Sequence, residues 1–230
     1  MPVLPGSPPV EVHLKRSSRA RRFSLRVSRL DGKVTLSMPL RAREGEALAF
    51  LKGNEDWLRH TLSTMPASAL QAVGHGAVIP VEGRGLTLTP ATGRGVRVDG
   101  DRLLVPGDPA TAGPRVAAWL KVLARDRLAT ASTRYAGLVG RRYTSLAIRD
   151  TRSRWGSCSP DGRLMYSWRL ILAPPQVLDY VAAHEVAHLV ELNHSPAYWQ
   201  VVTGICPDWK RHRDWLKANG QTLHGFRFQD

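Results

Sequence analysis

The motif His184-Glu185-Val186-Ala187-His188, with His194 six residues further along the chain, is the feature from which the fold can be predicted. Two histidines four positions apart on a helix project from one face, so their imidazoles can share one metal ion. A third histidine leaves the fourth position of the ion to water, which is typical of catalytic zinc. We expect Glu185 to be the general base that takes a proton from metal-bound water. The pattern therefore predicts a Zn²⁺ site formed by His184, His188 and His194.

The residues around this motif predict the elements that carry it. Pro175 can open a helix without losing a hydrogen bond, and apolar residues recur after it at helical spacing. We therefore predict a helix over residues 175–190. Ser195 and Pro196 then predict the cap and the first residue of another helix, and the turn between the two helices would return His194 to the site.

The motif and its surroundings resemble the YgjP-like metallopeptidases, relatives of the WLM and SprT-like minimal zincins. Besides residues 184–195, the resemblance rests on Arg154-Trp155-Gly156-Ser157-Cys158 upstream and Cys206-Pro207-Asp208-Trp209 downstream. It implies a zincin-type catalytic domain in which His184, His188 and His194 bind zinc and Glu185 is the catalytic acid and base. It also implies a peptide or protein substrate.

Hydrolysis of a peptide bond also needs a group that stabilises the tetrahedral oxyanion. The histidine motif does not provide one. We expect Arg154 or Ser157, in the Arg-Trp-Gly-Ser-Cys loop, to do so. In the alternative interpretation Trp155-Gly156 is only a packing turn and the arginine is a surface residue.

The order of the patterns predicts an α+β fold, in which a small antiparallel β-rich N-terminal region precedes a zincin-type metallopeptidase catalytic domain. Residues 1–9 are rich in proline and predict a flexible N-terminus. Alternating apolar residues predict short strands over residues 10–106. This region also contains one predicted helix, residues 44–64, whose buried stripe includes Trp57.

A linker rich in glycine and proline is predicted at residues 107–113, and the catalytic domain follows at residues 114–230. This domain should open with a long amphipathic helix over residues 115–139. Residues 164–169 are the predicted strand along the cleft, where an extended substrate could pair with the sheet. A last helix is expected over residues 208–219.

The chain is strongly basic. It has 33 Lys and Arg residues against 19 Asp and Glu residues, a formal charge of +14, and a pI of about 10.8. Such a charge favours association with nucleic acid or nucleotides. Between Lys15 and Arg29 there are seven basic residues and no acidic one, and on a strand several of them would form a basic ridge. We interpret this run as a solvated outer face, and an anion-binding surface is the alternative interpretation.

Three functions remain open at this point. The first is a zinc-dependent metallopeptidase that uses His184, His188, His194 and Glu185. The second is a metal-dependent nucleoside triphosphate pyrophosphohydrolase using the same site, since arginines can clamp a transferring phosphoryl group. The third is a basic nucleic-acid-binding protein with a vestigial metal site, although no known nucleic-acid-binding motif is present. Three histidines without an aspartate favour zinc over magnesium.

The sequence also indicates where in the cell the protein is expected. The two cysteines, Cys158 and Cys206, do not form a disulfide framework, and no stretch has the length and apolarity of a membrane span. The first residues lack the charged and apolar regions of a signal peptide. We therefore expect a cytoplasmic protein without a membrane partner. Its oligomeric state is left open.

Overall fold

The chain divides into two compact units, Met1–Leu70 and Gln71–Asp230. The computed structural model describes residues 2–28, 32–64 and 70–228. In these ranges no helix combines the length and the apolar character needed to cross a membrane.

The first unit is a four-stranded sheet with two helices packed on one face. Its elements are β1 (Val3–Leu4), β2 (Val10–Ser17), β3 (Ser24–Val27), β4 (Val34–Pro39), α1 (Glu44–Gly53) and α2 (Glu55–Ser63). The strand order is β1-β2-β4-β3, and β2 runs parallel to β4 while the other pairs are antiparallel. The sheet is therefore mixed and not purely antiparallel as predicted, because alternation of apolar residues does not reveal the direction of a strand.

The predicted helix over residues 44–64 is in fact two helices that meet at Asn54. The side-chain amide of Asn54 donates a hydrogen bond to the carbonyl oxygen of Phe50, which is how asparagine competes with helical bonding. The break changes which residues face the sheet. Leu58 is buried, whereas Trp57 is 49% exposed, so its predicted place in the buried stripe is wrong.

The second unit begins with a short strand, a second four-stranded sheet and a long helix. These elements are β5 (Gln71–Ala72), β6 (Val78–Val81), β7 (Arg84–Ala91), β8 (Arg97–Asp99), β9 (Arg102–Pro106), a 3₁₀ helix (Pro109–Thr111) and α3 (Ala112–Leu138). The strand order of this sheet is β6-β7-β9-β8, with β7 and β9 parallel. Its buried residues, such as Leu88 and Leu103, share one core with Val116 and Leu120 of α3.

Because of this shared core, residues 10–106 do not form a single N-terminal domain. The second sheet buries its apolar face in the core that includes α3, so the division of the chain falls after Leu70 and not at residues 107–113. The predicted linker is itself packed. A Cβ on Gly113 would lie 2.6 Å from the carbonyl oxygen of Phe228, closer than real Cβ atoms approach.

The rest of the second unit carries the histidine motif. Its elements are β10 (Ser145–Arg149), β11 (Gly156–Cys158), β12 (Arg163–Ser167), a 3₁₀ helix (Trp168–Leu172), α4 (Pro175–Ala187), α5 (Pro196–Ile205), α6 (Trp209–Asn219), a 3₁₀ helix (Gly220–His224) and β13 (Phe226–Arg227). The predicted start of α4 at Pro175 is confirmed, but this helix ends at Ala187, earlier than expected. The fold is α+β, as predicted.

The three-stranded sheet of this half has the order β10-β12-β11. β12 is parallel to β10 and antiparallel to β11, so it is the central strand with a partner on both sides. The prediction that residues 164–169 form the strand open to substrate is therefore wrong. Both neighbours of β12 are edge strands, and the one that contacts α4 is β11, which contains Gly156, Ser157 and Cys158.

Candidate metal centre

Three histidines meet at the end of α4. His184 lies in the last turn of the helix, His188 follows its last residue, and His194 lies in the segment before α5. One ligand nitrogen from each ring lies within 4.8 Å of the others, and the Nε2 atoms of His184 and His194 are 3.1 Å apart. Two nitrogens bound to one tetrahedral Zn²⁺ at their usual distance are about 3.3 Å apart. The donor set and its spacing therefore fit a zinc ion.

The turn that returns His194 is fixed on its C-terminal side by two local hydrogen bonds. The side-chain oxygen of Asn193 accepts a hydrogen bond from the backbone N–H of Ser195. The Ser195 hydroxyl oxygen in turn accepts one from the backbone N–H of Tyr198, as a helix cap does. Pro196 occupies the first turn of α5. The cap and helix start predicted from Ser195 and Pro196 are confirmed.

Tyr198 packs among all three imidazoles. Its ring stacks on His188 at 4.5 Å between centroids and meets His184 and His194 edge-on at 5.4 and 4.8 Å. Its hydroxyl donates a hydrogen bond to the carbonyl oxygen of His184. The sequence does not reveal this role, because an aromatic residue on the apolar face of a helix cannot be distinguished from an ordinary core residue by spacing alone.

The environment keeps the buried imidazoles neutral. Burial lowers the pKa of His184 to about 3, with a further contribution from His188 and His194. Burial also lowers the pKa of His188. The Nδ1 atom of His188 lies 2.9 Å from the carbonyl oxygen of Glu191, so the neutral ring donates from Nδ1 and keeps its Nε2 lone pair free. A neutral imidazole with one free lone pair is the form that binds a metal.

Glu185 is buried beside this cluster, with 6% of the residue exposed. It packs against Gly156 of β11, where a Cβ would lie 2.5 Å from its Oε1 atom. Only glycine leaves room for the carboxyl group in this position. Burial raises the pKa of Glu185 to about 8, and the positive charge of Arg154 opposes this shift.

Arg154 and Ser157, the two residues expected to stabilise the oxyanion, lie in different environments in the structure. Arg154 is exposed, and its charge acts on Glu185. Ser157 follows Gly156 in β11 and pairs with Met165. Since successive side chains of a strand point to opposite faces and Gly156 faces Glu185, the Ser157 side chain points away from that carboxylate. Of the two, Arg154 is the one whose charge reaches Glu185.

A buried arginine fixes the C-terminal segment in this unit. The guanidinium of Arg169 donates two hydrogen bonds to the Asp150 carboxylate, at 2.7 and 3.2 Å. It also donates to the carbonyl oxygens of Leu223 and Phe226, both at 3.1 Å. This segment reaches the Arg-Trp-Gly-Ser-Cys loop through His224.

The contact with the loop is a ring stack. The imidazole of His224 lies on Trp155, with the ring centroids 4.8 Å apart. Trp155 immediately precedes Gly156, the residue against which Glu185 packs. The C-terminal segment therefore supports the loop beside the Glu185 carboxyl group.

The crystal structure of the metallopeptidase zymogen of Pyrococcus abyssi abylysin is similar to part of this chain. The TM-score is 0.38 at 19% sequence identity, and the similarity covers 41% of this chain and 95% of that chain. No curated protein sequence matches the chain. The family model of the YgjP-like metallopeptidase domain matches residues 21–219, which include all three histidines and Glu185. The chain therefore belongs to the YgjP-like metallopeptidase family.

Proposed function

We propose that the protein is a zinc-dependent peptidase in which His184, His188 and His194 hold the metal and Glu185 is the general base. The convergence of three imidazole nitrogens within 4.8 Å, next to a buried carboxyl group, carries this proposal. Neutral imidazoles without a carboxylate among them suit Zn²⁺ better than Mg²⁺, which prefers oxygen ligands.

Zn²⁺ in this position would polarise a peptide carbonyl group and lower the pKa of a water molecule towards about 7. Glu185 moves the proton. Its carboxylate accepts a proton from the attacking water and, as a carboxylic acid, returns it to the nitrogen of the leaving amine. The close contact with Gly156 restricts where the carboxyl group can lie.

Arg154 is the residue that we assign to stabilising the negative charge on the tetrahedral carbonyl oxygen. It is a fixed positive charge whose influence reaches Glu185, and a guanidinium can donate two hydrogen bonds to an oxyanion. Ser157 has no such role in this proposal, because its side chain lies on the other face of β11.

We place the substrate along β11. This strand is at the edge of its sheet and contacts α4 through Gly156, so a peptide that pairs with it would pass beside Glu185. An extended peptide can add to a sheet edge through main-chain hydrogen bonds. The same geometry predicts a preference for unfolded over compact protein substrates.

The test is the cleavage of unfolded casein by the wild-type protein, Glu185→Gln and Glu191→Gln. Glu191 is a matched control because it is close in sequence and its hydrogen bond with His188 is made by its backbone carbonyl oxygen, which Glu191→Gln leaves in place. We expect Glu185→Gln to lose at least about 10³-fold in kcat and Glu191→Gln to stay near wild type. Equal activity of Glu185→Gln and wild type would refute the mechanism.

The same three proteins should be offered nucleoside triphosphates. Release of pyrophosphate that depends on Glu185, without casein cleavage, would replace the peptidase proposal by the pyrophosphohydrolase alternative.

A further inference from the structure

The sheet of the first unit has one apolar face and one cationic face. The apolar side chains of Val12, Leu36 and Leu25 face the core with α1 and α2. The residues between them in sequence point the other way. We define the cationic face by the following side chains on β2, β3 and β4: His13, Lys15, Ser24, Arg26, Thr35 and Ser37.

The pairing register arranges this face in two rows. Lys15 lies opposite Ser37, which lies opposite Ser24. In the next row, His13 lies opposite Thr35, which lies opposite Arg26. The two cations are therefore on the outer strands of the three, diagonally about 12 Å apart, with hydroxyl groups on the central strand between them. Lys15 and Arg26 are both exposed.

Not every basic residue of this unit is available to a ligand. Arg16 donates hydrogen bonds to the carbonyl oxygens of Leu40 and Ala42, so it stabilises the chain after β4. Arg59 pairs with Glu55. By contrast, the loop between β2 and β3 adds three exposed arginines beside the face: Arg19, Arg21 and Arg22. Arg29 lies outside the described residues.

Almost all of the charge on this surface is positive. From residue 12 to residue 28 the sequence contains no acidic residue. Glu11 is the acidic residue on the same side of β2, two residues before His13, and by the register it is about as far from Arg26 as Lys15 is. Such a concentration of positive charge attracts a polyanion.

We propose that the cationic face binds the phosphate backbone of nucleic acid. Lysine, arginine and hydroxyl side chains are the groups that make most contacts with phosphate oxygens. Apart from the imidazole of His13, the two rows contain no aromatic side chain on which a base could stack, so we expect binding that does not depend on base sequence. They also contain no large apolar side chain that could enter a bilayer, which argues against a lipid surface. This binding is a property of the first unit and does not depend on the metal centre.

The proposal is tested by the salt dependence of binding. Fluorescence anisotropy of a labelled DNA duplex of arbitrary sequence would give the association constant of the full chain between 50 and 200 mM NaCl. Each phosphate contact contributes about −0.9 to the slope of log K against log [salt]. We expect the double variant Lys15→Ser/Arg26→Ser to bind more weakly to every sequence and to have a slope about 2 units shallower than wild type.

The matched control is Lys52→Ser/Lys121→Ser, which removes the same charge from exposed positions on α1 and α3. It should keep the slope of the wild type. The charge-conserving variant Lys15→Arg/Arg26→Lys should restore the slope, which separates lost contacts from a misfolded sheet. Equal slopes for the face variant and the control variant would overturn the proposal. Tighter binding to phosphatidylserine vesicles than to DNA, lost with Lys15 and Arg26, would also overturn it in favour of a membrane surface.

Discussion

At the residue scale, Glu185 depends on a neighbour that has no side chain. Gly156 belongs to the edge strand β11, and any Cβ there would collide with the carboxyl group. Glycine is therefore required at this position because there is no room for a side chain. Its backbone is not in a left-handed conformation that only glycine favours.

Gly156→Ala should therefore lower kcat without removing the metal. The added methyl group must displace either β11 or the Glu185 carboxyl group, and a shift of about 1 Å at a catalytic group can cost about 10²-fold in rate. The measurements are casein cleavage and zinc content. Gly204→Ala in α5 is the control, because its Cβ would enter open space. Unchanged kcat in Gly156→Ala would contradict the packing argument.

Arg154 and Ser157 provide a second prediction at this scale. Arg154→Met should lose about 10²–10³-fold in kcat with little change in KM, as removal of an oxyanion donor does. Ser157→Ala should stay within a few-fold of wild type, because its side chain points away from Glu185. Steady-state kinetics of both variants on one peptide would measure these changes in kcat and KM. A large loss in Ser157→Ala together with an active Arg154→Met would reverse the assignment.

The sequence was sufficient to identify the three histidines and Glu185 as candidates, because their spacing on one helix face is a local property. It was not sufficient to identify Tyr198 or the role of Gly156. Those roles come from contacts between α5 or β11 and α4, and such contacts are set by tertiary packing.

At the scale of elements, the buried Arg169 connects the 3₁₀ helix Trp168–Leu172 to the C-terminal segment. Arg169→Met should destabilise the protein by about 3 kcal/mol, because the carbonyl groups of Leu223 and Phe226 lose their donor and Asp150 loses its partner. Urea unfolding measures the change. Arg163→Met is the control, since the Arg163–Asp161 pair is exposed and its loss should leave the midpoint unchanged. Equal shifts in the two variants would contradict the assignment.

His224 should make the same segment sensitive to acid. Burial lowers the pKa of His224 to about 4 from its usual 6.5, and Arg169 adds to the shift. Between these values the unfolded chain binds a proton that the folded chain does not, so stability falls as the pH falls through this window. Within this window His224 lowers the free energy of unfolding by up to about 1.4 kcal/mol for each pH unit.

His224→Phe keeps a ring against Trp155 and removes the titrating group. Its free energy of unfolding, measured with urea from pH 7 to pH 4, should therefore fall less steeply than that of the wild type. His60→Phe, which changes an exposed histidine on α2, should follow the wild-type curve. Parallel curves for His224→Phe and wild type would show that His224 does not titrate in this window.

The sequence predicted where helices begin better than it predicted which strands pair. Pro175 and Ser195-Pro196 mark helix starts by local chemistry, and these predictions are confirmed. The break at Asn54 and the central position of β12 were not predicted. The former depends on a competing side-chain bond, and the latter on which strands pair across the sheet.

At the scale of the whole molecule, the metal centre and its supporting contacts all lie in the second unit. The sequence placed the boundary at residues 107–113, because glycine and proline there resemble a linker. The actual division follows burial, since the sheet of β6–β9 shares its core with α3.

A fragment of residues 71–230 should therefore fold and bind one zinc ion with the affinity of the full chain. It retains the three histidines, Glu185 and the pairing of β5 with β13. Circular dichroism and a zinc titration check this expectation. An unfolded fragment, or one with much weaker zinc binding, would contradict the independence of the two units. The same fragment should lose the salt-dependent DNA binding that we assign to Lys15 and Arg26.

The most direct test of the central claim is the zinc content of the purified full chain, measured by elemental analysis without chelators. We predict about one zinc per chain in the wild type and in Glu185→Gln, and a large loss in His188→Ala. His60→Ala, which removes an exposed histidine from the first unit, should keep its zinc. Zinc retained in His188→Ala, or absent from the wild-type protein even after titration with Zn²⁺, would contradict the metal centre proposed here.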